Sequence, residues 1–411
     1  MAKRFDAAEF ANHFNHHSGE YREHSWEAFR HMREQCPVAH SDQLGGFWVL
    51  TRYEDVMNVA RDDRTFTSVD GITINSTGIE ERTEDLKARP MNIPIDMDPP
   101  LSRQYRKLLD PLVTPARIEE YERYLRGLAT ELIDGFIETG RADLSLDLGS
   151  PLTSMFTMKL TGLPIDDWRI YAEPIQRSIG GVGDPAETHR LRLAAHERMR
   201  EHIERQRTNP VAGGAIEHLW KASLDGRPLE SWEVEGMIWL FIVGGVDTTQ
   251  AGMGNGFVFL SRHPERKQEL IDHPELIPDA VEEFLRYFTP QQGLCRRATR
   301  DVELGGQHIR AGDFLLMSWA AANRDPAEFP DPEEVDFRRE ENRHMAFGIG
   351  AHRCMGSNIG RAEIRICLEE VLKRLPDYEV EEAGLDLAPD VGTVYAYKSL
   401  PIRFTPGKRV A

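Results

Sequence analysis

The 411-residue sequence is poor in cysteine, has no long hydrophobic run and carries too little positive charge to balance its acids. The four cysteines, at positions 36, 295, 354 and 367, show no C-x-x-C spacing, which argues against a disulfide framework and fits a reducing compartment. No segment reaches the ~18 apolar residues of a membrane-spanning helix, and the N-terminal residues lack the apolar core of a signal peptide. The sequence therefore predicts a cytoplasmic protein with no membrane span.

Positive charge is in deficit along the chain. Lysine and arginine number 50 against 68 aspartates and glutamates, so the formal charge is −18 at pH 7. This imbalance disfavours phosphate backbones and anionic membranes as partners. Apolar residues make up 40% and charged residues 29% of the chain, as in soluble globular proteins. We therefore expect a folded protein that does not bind nucleic acid.

No internal repeat, low-complexity tract or Pro/Ser-rich linker divides the chain, so the sequence favours a single domain over residues 1–411. Helical periodicity dominates, and it is clearest in residues 53–62, 117–140 and 187–207. Predicted strands are short and comprise residues 46–52, two arms about a Gly-Gly turn within 298–317, and a C-terminal pair ending in SLPIRF. The fold is predicted to be mainly α with a small β part.

Two polar regions each allow two interpretations. Residues 69–100 lack a sustained period and are long for a loop, so they form either a lid or a variable surface segment. His13, His16 and His17 could hold a metal, but their polar N-terminal setting favours a solvated surface.

Residues 231–261 have the pattern of one long helix. They begin with an N-cap candidate, Ser231, and stop before Pro264, which gives a span of ~45 Å at 1.5 Å per residue. The apolar run 237–246 is unbroken and too short to cross a bilayer. The sequence therefore predicts a helix that crosses the core of the domain.

This helix contains the stretch GGVDTTQAG, although each glycine inside a helix costs ~1 kcal/mol relative to alanine. One interpretation is that Gly244 and Gly245 permit close helix packing. The other is that they clear space for a flat ligand. In that case Asp247 and Thr248 would open the backbone ladder and carry protons.

A second helix is predicted in IPDAVEEFLRYFTP, beginning at Pro278, with an apolar stripe at i, i+3, i+4 and i+7. Glu283 and Arg286 lie three residues apart beside this stripe. Taken alone, such an E-x-x-R pair is an ordinary surface ion pair worth ~0.2–0.5 kcal/mol.

Cys354 lies where a glycine-rich loop, FGIGAHRCMG, gives way to a helix-like run. Free backbone N–H groups and the helix dipole would favour its thiolate form, and the glycines would let the backbone approach a large planar group. A buried inert thiol, a nucleophile paired with His352 and a haem ligand, which needs one thiolate, all remain possible uses. Zinc would need more ligands than this loop offers.

These motifs together resemble the cytochrome P450 family. FGIGAHRCMG is similar to the haem-binding signature F-G-x-G-x-H-x-C-x-G, whose fixed positions recur by chance in about one of a hundred thousand such chains or fewer. The other motifs follow in the family's order and are DPPLSRQYR at 98–106, GGVDTT at 244–249, EFLR at 283–286, RRAT at 296–299 and ANRDP at 322–326. The similarity runs from about residue 46 to residue 404 and is greatest to soluble bacterial members of the camphor-hydroxylating type.

The resemblance implies the cytochrome P450 fold, with haem b between the long central helix and the helix after the cysteine loop. Cys354 matches the residue that binds the iron, and Phe347 matches the residue that shields its sulfur. Cations at the propionate positions have a physical reason, because they pair with two carboxylates. The other positions matched to haem binding are Arg106, Arg296, His352 and Gly356.

Away from the iron, Glu283, Arg286 and Arg339 match a structural ion-pair network behind the haem. The sequence departs from the family pattern at two positions. Ser102 stands where many relatives have histidine, so one propionate contact is absent or replaced, for instance by Arg103. Val335 occupies a position often held by phenylalanine.

Asp247 and Thr248 match the acid and alcohol that relay protons to dioxygen in the family. The implied activity is hydroxylation of a hydrophobic small molecule with a terpenoid, steroid or aromatic skeleton. The expected contacts with this substrate are Val243, Gly244, Asp247, Gly293, Leu294 and Val394. The alternatives are a haem-thiolate enzyme that rearranges or couples its substrate or uses peroxide, and a non-catalytic haem protein that binds a ligand.

Electrons must come from another protein, because no flavin or iron–sulfur domain fits in the remaining residues. The resemblance implies a monomer that receives NAD(P)H-derived electrons through a ferredoxin reductase and an acidic [2Fe–2S] ferredoxin. A basic patch on the cysteine side would receive the ferredoxin, although dispersed solvated charges are the alternative. The predicted members of this patch are Arg103, Arg106, Lys107, Arg338, Arg339, Arg343 and Arg353.

Overall fold

The computed structural model describes residues 5–69, 71–76, 78 and 90–410, and these form a mainly helical fold with small sheets, as the sequence predicts. None of the helices in this part of the chain is long and apolar enough to cross a membrane. The described α-helices, numbered α1 to α15 in chain order, are Ala7–Asn12, Gly19–Gln35, Tyr53–Arg61, Leu101–Leu109, Pro115–Asp134, Ser150–Thr161, Trp168–Ile179, Pro185–Gln206, Ala215–Lys221, Ser231–Val246, Thr248–Arg262, Pro264–Asp272, Ile277–Phe288, Trp319–Ala322 and Ser357–Arg374.

The strands belong to five small sheets in the described residues, the largest with the order β1-β2-β10-β7-β3. The predicted Gly-Gly turn joins β8 to β9, and Gly305 and Gly306 have φ values of 57° and 77°, which glycine adopts without steric cost. The strands, numbered β1 to β14, are Val38–Ser41, Phe47–Leu50, Phe66–Thr67, Arg141–Asp143, Ser223–Leu224, Arg227–Pro228, Gly293–Ala298, Val302–Leu304, Gln307–Ile309, Phe314–Ser318, Glu379–Val380, Asp386–Leu387, Tyr397–Ser399 and Pro401–Arg403.

The predicted long helix is divided into α10 and α11 at Asp247, whose φ is −103° and ψ is −38°. Its N-cap is Glu230 rather than Ser231. The Glu233 carboxylate accepts the Glu230 N–H at 2.7 Å, and the Glu230 side chain accepts a backbone N–H in return. This reciprocal capping box satisfies two N–H groups that a helix start leaves without partners.

The two halves of the long helix belong to different hydrophobic cores. The buried residues of α10, Met237 among them, pack with Tyr171 of α7 and Met199 of α8. Those of α11, such as Phe257, pack with Phe284 of α13 and with α15. The break at Asp247 therefore lies where the helix passes from one core to the other.

A buried ion-pair network anchors the chain that leads to Cys354. Arg286 and Glu283, both 0% exposed, form two parallel hydrogen bonds of 2.8 and 2.7 Å. Arg339 adds a contact of 3.2 Å with Glu283. The remaining Arg286 bonds go to the carbonyls of Asn323, Pro332 and Glu334. The pair is thus a buried network, as the resemblance implies, and not an ordinary surface pair.

The N-terminal histidines do not form the solvated surface that the sequence suggests. His13 is exposed, but His16 is 4% exposed and the His17 side chain is also buried. His17 contacts the Asp390 carboxylate and the Ile74 carbonyl, both at 2.7 Å. These histidines therefore fasten the N-terminal segment to two other parts of the chain.

Part of the expected lid is docked on the central helix. Ile93 is fully buried and its N–H donates to the Gly236 carbonyl at 3.4 Å. A Cβ added at Gly236 would lie 2.6 Å from the Met91 carbonyl oxygen, so only glycine permits this approach. Residues 90–97 therefore pack as a fixed element, while positions 70, 77 and 79–89 of the proposed lid lie outside the described residues.

Glu283→Gln should destabilise the fold by about 3–5 kcal/mol, because it leaves the buried Arg286 guanidinium without its counter-charge. Denaturant unfolding followed by circular dichroism measures the free energy of unfolding. Glu382→Gln is the matched control, since Glu382 makes the same two-bond contact with Arg262 at an exposed site. Its expected cost is below about 1 kcal/mol. Equal costs for the two variants would contradict the anchoring role of the network.

Candidate active site

The helix break leaves backbone carbonyls that two threonine hydroxyls satisfy. Thr248 Oγ1 donates to the Gly244 carbonyl at 2.8 Å, and Thr153 Oγ1 of α6 donates to the Val246 carbonyl at 2.7 Å. The ladder resumes with the Ala251 N–H donating to the Asp247 carbonyl at 2.9 Å. Sequence reasoning identified Thr248 but missed Thr153, because nothing in its local sequence connects it to a helix 93 residues away.

The two adjacent glycines of the break serve different purposes. A Cβ added at Gly245 would lie 2.7 Å from Thr157 Oγ1, so this glycine permits close packing against α6. A Cβ at Gly244 would meet no neighbouring group of the described chain within 4 Å. Close packing is therefore confirmed for Gly245, whereas the open space beside Gly244 leaves room for a ligand, whose presence stays a prediction.

Asp247 is a buried acid at the break and is 5% exposed. Burial raises the pKa of its carboxyl from its ordinary value to about 7. No charged partner contributes to this shift among the described groups. Asp247 therefore changes protonation state near neutral pH, which a group that passes protons needs to do.

Glu363 of α15 is a second buried acid, which sequence reasoning missed. It is 2% exposed, and burial raises the pKa of its carboxyl well above the usual range. It is hydrogen-bonded to the hydroxyl of Thr249, the residue after Thr248. Its Oε1 has no partner among the described residues. The only sequence signal is that Glu363 lies three and four residues before Ile366 and Cys367 and four after Ile359, on the otherwise apolar face of the helix.

The loop before α15 holds Cys354 by its backbone. The Cys354 N–H donates to the Phe347 carbonyl at 2.8 Å, so the loop closes on itself around the two residues. Gly348 and Gly350 have φ values of 64° and 78°, and a Cβ at Gly350 would lie 2.6 Å from the Ala60 carbonyl oxygen. Gly350 is therefore needed for contact with α3 rather than as clearance for a planar group.

Cys354 is an exposed residue by its surface area, but enough of the loop surrounds its sulfur to desolvate the thiol. Gly356 lies beside it, with an added Cβ 3.8 Å from the sulfur. Burial raises the pKa of the thiol, which contradicts the expected low-pKa thiol. A hydrogen bond from the Gly356 N–H and the positive charges of Arg106, Arg353 and Arg361 act in the opposite direction. The surroundings thus offer several groups that stabilise a thiolate once a partner for the sulfur is present.

Two arginines and a histidine converge near the cysteine loop. Arg296 is 4% exposed, and its guanidinium donates to the Cys295 carbonyl at 3.2 Å. Burial, together with the positive charges of Arg296 and Arg106, lowers the pKa of His352 to about 4, so this histidine is neutral at neutral pH. His352 Nε2 lies 3.2 Å from Ser68 Oγ, and Arg106 donates to the Arg353 carbonyl. Within the described residues, none of the three has a carboxylate at ion-pairing distance.

This donor set fits haem b. Two propionate carboxylates would give Arg106 and Arg296 the counter-charges they lack and would give His352 an acceptor, since a buried charge is stable only when paired. The thiol of Cys354 would supply the one thiolate that a haem iron needs from this side. Ser102, at the position where many relatives have histidine, is 3% exposed, and its hydroxyl has no partner in the described part of the chain.

The structure separates the predicted substrate contacts into two groups. Val243 and Leu294 are half-buried and Gly244 is exposed, so these three offer surface to a ligand. Gly293 is packed in the sheet, where an added Cβ would lie 2.8 Å from the Met317 carbonyl oxygen. Val394 is 1% exposed. The last two residues therefore shape the wall through their backbone and offer no accessible side chain.

The predicted basic patch is smaller than expected because acids pair with several of its members. Arg339 belongs to the buried network with Glu283. Arg338, Arg343 and Arg103 pair with Glu269, Glu328 and Asp63 respectively. The members without an ion pair in the described residues are Arg106, Lys107 and Arg353.

Comparison with known proteins agrees with this geometry. A family model described as cytochrome P450 matches residues 186–383. The chain is 34% identical over 370 residues to cytochrome P450 130 of Mycobacterium tuberculosis. The aligned region covers 88% of this chain and 90% of that relative. It is 29% identical to the steroid C26-monooxygenase of Mycolicibacterium smegmatis, over 93% of this chain and 94% of that protein.

Solved structures show the same similarity. Cytochrome P450 CYP109Q5 from Chondromyces apiculatus superimposes with a TM-score of 0.85 at 26% identity, covering 97% of this chain and 100% of that one. A cysteine loop, a cation cluster and a broken central helix are the parts of a haem-thiolate monooxygenase. The chain belongs to the cytochrome P450 family, among its bacterial members.

Gly245→Ala should be less stable than Gly244→Ala by about 1–3 kcal/mol. Both substitutions gain the same helix propensity, but only the first forces a methyl group against Thr157. Thermal and denaturant unfolding of the two variants measures the difference. Equal stabilities would show that Gly245 is not a packing residue.

Asp247→Asn should stabilise the protein increasingly as pH rises. The raised pKa means that the folded state keeps its proton after the unfolded state has lost it. The Asp247 carboxyl therefore costs no stability below about pH 4, and its cost grows until about pH 7 to on the order of 4 kcal/mol. Unfolding titrations between pH 5 and pH 8 measure this trend.

The matched control for that titration is Asp225→Asn, at an exposed turn position. Its difference from the unmodified protein should not vary with pH over the same interval. A flat difference for Asp247→Asn as well would contradict a buried, protonated carboxyl at the break.

Proposed function

We propose that this cytochrome P450 hydroxylates a hydrophobic small molecule, using dioxygen and electrons from NAD(P)H that pass through a ferredoxin reductase and a [2Fe–2S] ferredoxin. The observation that carries the proposal is the helix break. It combines open space at Gly244, a hydroxyl at Thr248 and a carboxyl with a pKa of about 7 at Asp247. We further propose that residues 1–411 act as one domain, as a monomer in the cytoplasm.

Haem b, when bound, supplies the redox chemistry that activates dioxygen. In this proposal Cys354 would bind the iron, and the Gly356 N–H and the nearby arginines would stabilise its thiolate. Phe347, whose carbonyl accepts the Cys354 N–H, shields the sulfur from water. Arg106, Arg296 and His352 bind the propionates.

Asp247 and Thr248 are the proposed proton relay. The Thr248 hydroxyl donates its hydrogen bond to the Gly244 carbonyl. Its oxygen is therefore free to accept a hydrogen bond from a water or from a protonated reacting oxygen. Asp247 can take up and release a proton near neutral pH. Glu363, whose pKa is raised by burial and which is bonded to Thr249 next in the chain, is a second candidate group in this relay.

The substrate class is proposed from the accessible wall. Val243 and Leu294 are apolar and half-buried, which favours a hydrophobic ligand. A terpenoid, steroid or aromatic skeleton meets this requirement. One relative, described above, is named as a steroid C26-monooxygenase. Another is named as a methyl-branched lipid omega-hydroxylase; it comes from Mycobacterium tuberculosis and is 30% identical over 92% of this chain.

The proposed ferredoxin contact is the smaller basic patch of Arg106, Lys107 and Arg353. These cations surround the sulfur side of the cysteine loop, and the rest of the protein is acidic overall. An acidic ferredoxin would therefore be attracted to this face and repelled elsewhere. The charges of Arg106 and Arg353 act on the Cys354 thiol, which supports the assignment.

Turnover under ¹⁸O-labelled dioxygen tests the activity. Steroids and terpenoids are first screened for displacement of water from the iron, and a binder is then incubated with NADPH and surrogate ferredoxin and reductase. We expect a hydroxylated product that carries one labelled oxygen atom. Product without the label would favour rearrangement, coupling or peroxide chemistry, and a bound ligand that is never oxidised would favour a binding protein.

The control for this experiment is Cys354→Ala. This variant should form no product and should lack the band at about 450 nm of the reduced carbon monoxide complex, because the thiolate is removed. Cys36→Ala, a substitution outside the cysteine loop, should retain both. Activity in Cys354→Ala would contradict the assigned ligand.

A further inference from the structure

The helix side of the cysteine loop carries a cation that neither the proton relay nor the propionate cluster uses. The guanidinium carbon of Arg361 lies 4.5 Å from the centre of the Phe347 ring. The carbonyl of the same phenylalanine accepts the Cys354 N–H at 2.8 Å. A cation over an aromatic face is attracted by the ring's negative face. Arg361 therefore contacts the ring of the same loop residue whose carbonyl holds the backbone of Cys354.

Arg361 is held in this position by Glu282 of α13. Its Nε and Nη2 donate to the two carboxylate oxygens at 2.6 and 2.7 Å, a geometry that fixes the plane of the guanidinium. Glu282 Oε2 also lies 3.1 Å from His344 Nε2, while His344 Nδ1 accepts the Ala346 N–H at 3.2 Å. Because Nδ1 accepts, Nε2 is the ring nitrogen that donates to Glu282.

The pair is therefore a fixed dipole whose positive end faces the sulfur. Arg361 is one of the cations that lower the pKa of the Cys354 thiol, and Glu282 is not among the groups that raise it. Arg361 and His344 hold the pKa of Glu282 at about 2, against its burial. The dipole thus persists across the whole range of pH in which an enzyme operates.

We propose that the Arg361–Glu282 pair sets the reduction potential of the haem by withdrawing electron density from the Cys354 thiolate. Arg361 is a positioning residue in this role, because it acts through Phe347 and the sulfur and does not touch the iron. A positive charge near the thiolate stabilises the extra electron of the reduced state and makes reduction easier. The inference rests on the ligation by Cys354 proposed above.

Spectroelectrochemical titration of the haem-loaded protein tests this role. Each ferric haem takes one electron from the mediator, and no bond or proton is exchanged with Arg361 or Glu282. Arg361→Gln should lower the potential, whereas Glu282→Gln should raise it, because the cation then lacks its counter-charge. The expected size is about a tenfold change in the reduction equilibrium, or about 59 mV for one electron.

Opposite directions are the signature of an electrostatic role, since mere loosening of the loop would move both variants the same way. Arg361→Lys keeps the charge without the two-bond geometry and should recover part of the potential. If Arg361→Gln fails to retain haem, the other two variants still test the role. Glu282→Gln should then have a higher reduction potential, and Arg361→Lys a lower one, than the unmodified protein.

Arg365→Gln and Glu122→Gln are the matched controls. Arg365 lies one turn further along α15 and pairs with Glu122 at 2.8 Å, so these variants make the same charge changes outside the Phe347 contact. Their potentials should remain near that of the unmodified protein. Equal shifts in controls and variants, or the same sign for Arg361→Gln and Glu282→Gln, would overturn the inference. Absence of the band at about 450 nm from the reduced carbon monoxide complex of the unmodified protein would instead contradict the ligation by Cys354.

Discussion

The interruption of the central helix at Asp247 is the constraint on which the rest of the active site depends. A buried carbonyl that loses its helix partner costs about 1–3 kcal/mol unless another donor reaches it. Thr153 supplies such a donor to the carbonyl of the buried Val246, and Thr248 donates to the carbonyl of the exposed Gly244. The opened helical hydrogen-bond ladder is therefore compensated within the fold. Because the break also lies between two hydrophobic cores, neither core is deformed to accommodate it.

The cysteine loop faces the opposite requirement, since a metal ligand must be held still. Its rigidity comes from α13 through a chain of buried bonds. Arg286 donates to the Asn323 carbonyl at 3.1 Å, and the Asn323 side chain accepts the Met345 N–H at 2.6 Å. Met345 precedes Phe347 by two residues, and Phe347 holds the backbone of Cys354. A charged pair far from the sulfur in sequence therefore controls where the sulfur lies.

The sequence predicted the elements that local pattern determines. The helical periodicity, the Gly305-Gly306 hairpin and the cysteine motif are each encoded within a few residues, and each is present in the structure. What the sequence did not predict depends on distant contacts. Examples are the hydrogen bond of the Thr153 hydroxyl, the burial of Glu363 and the burial of His16. Each follows from packing between elements that are far apart in the sequence, by 93 residues in the case of Thr153 and Val246.

The GG pair shows the same limit at the scale of one residue. Local sequence makes Gly244 and Gly245 equivalent, and two interpretations applied equally to both. Only the position of α6 distinguishes them, because Thr157 lies against one glycine and not against the other. The pKa of Cys354 is a similar case, since proximity to a helix start predicted a low value, whereas burial raises it.

Electrostatics connects the two faces of the site. The protein has a formal charge of −18, yet it places Arg106, Arg296 and His352 together near the cysteine loop. Their mutual repulsion and burial hold the pKa of His352 at about 4. Two carboxylates among these groups would reverse that shift, because an opposite charge within ~4–6 Å favours the charged form. At the proposed haem site, binding of the propionates would therefore be coupled to protonation of His352, and the unfavourable proximity of these groups in the absence of haem would favour a dianionic cofactor.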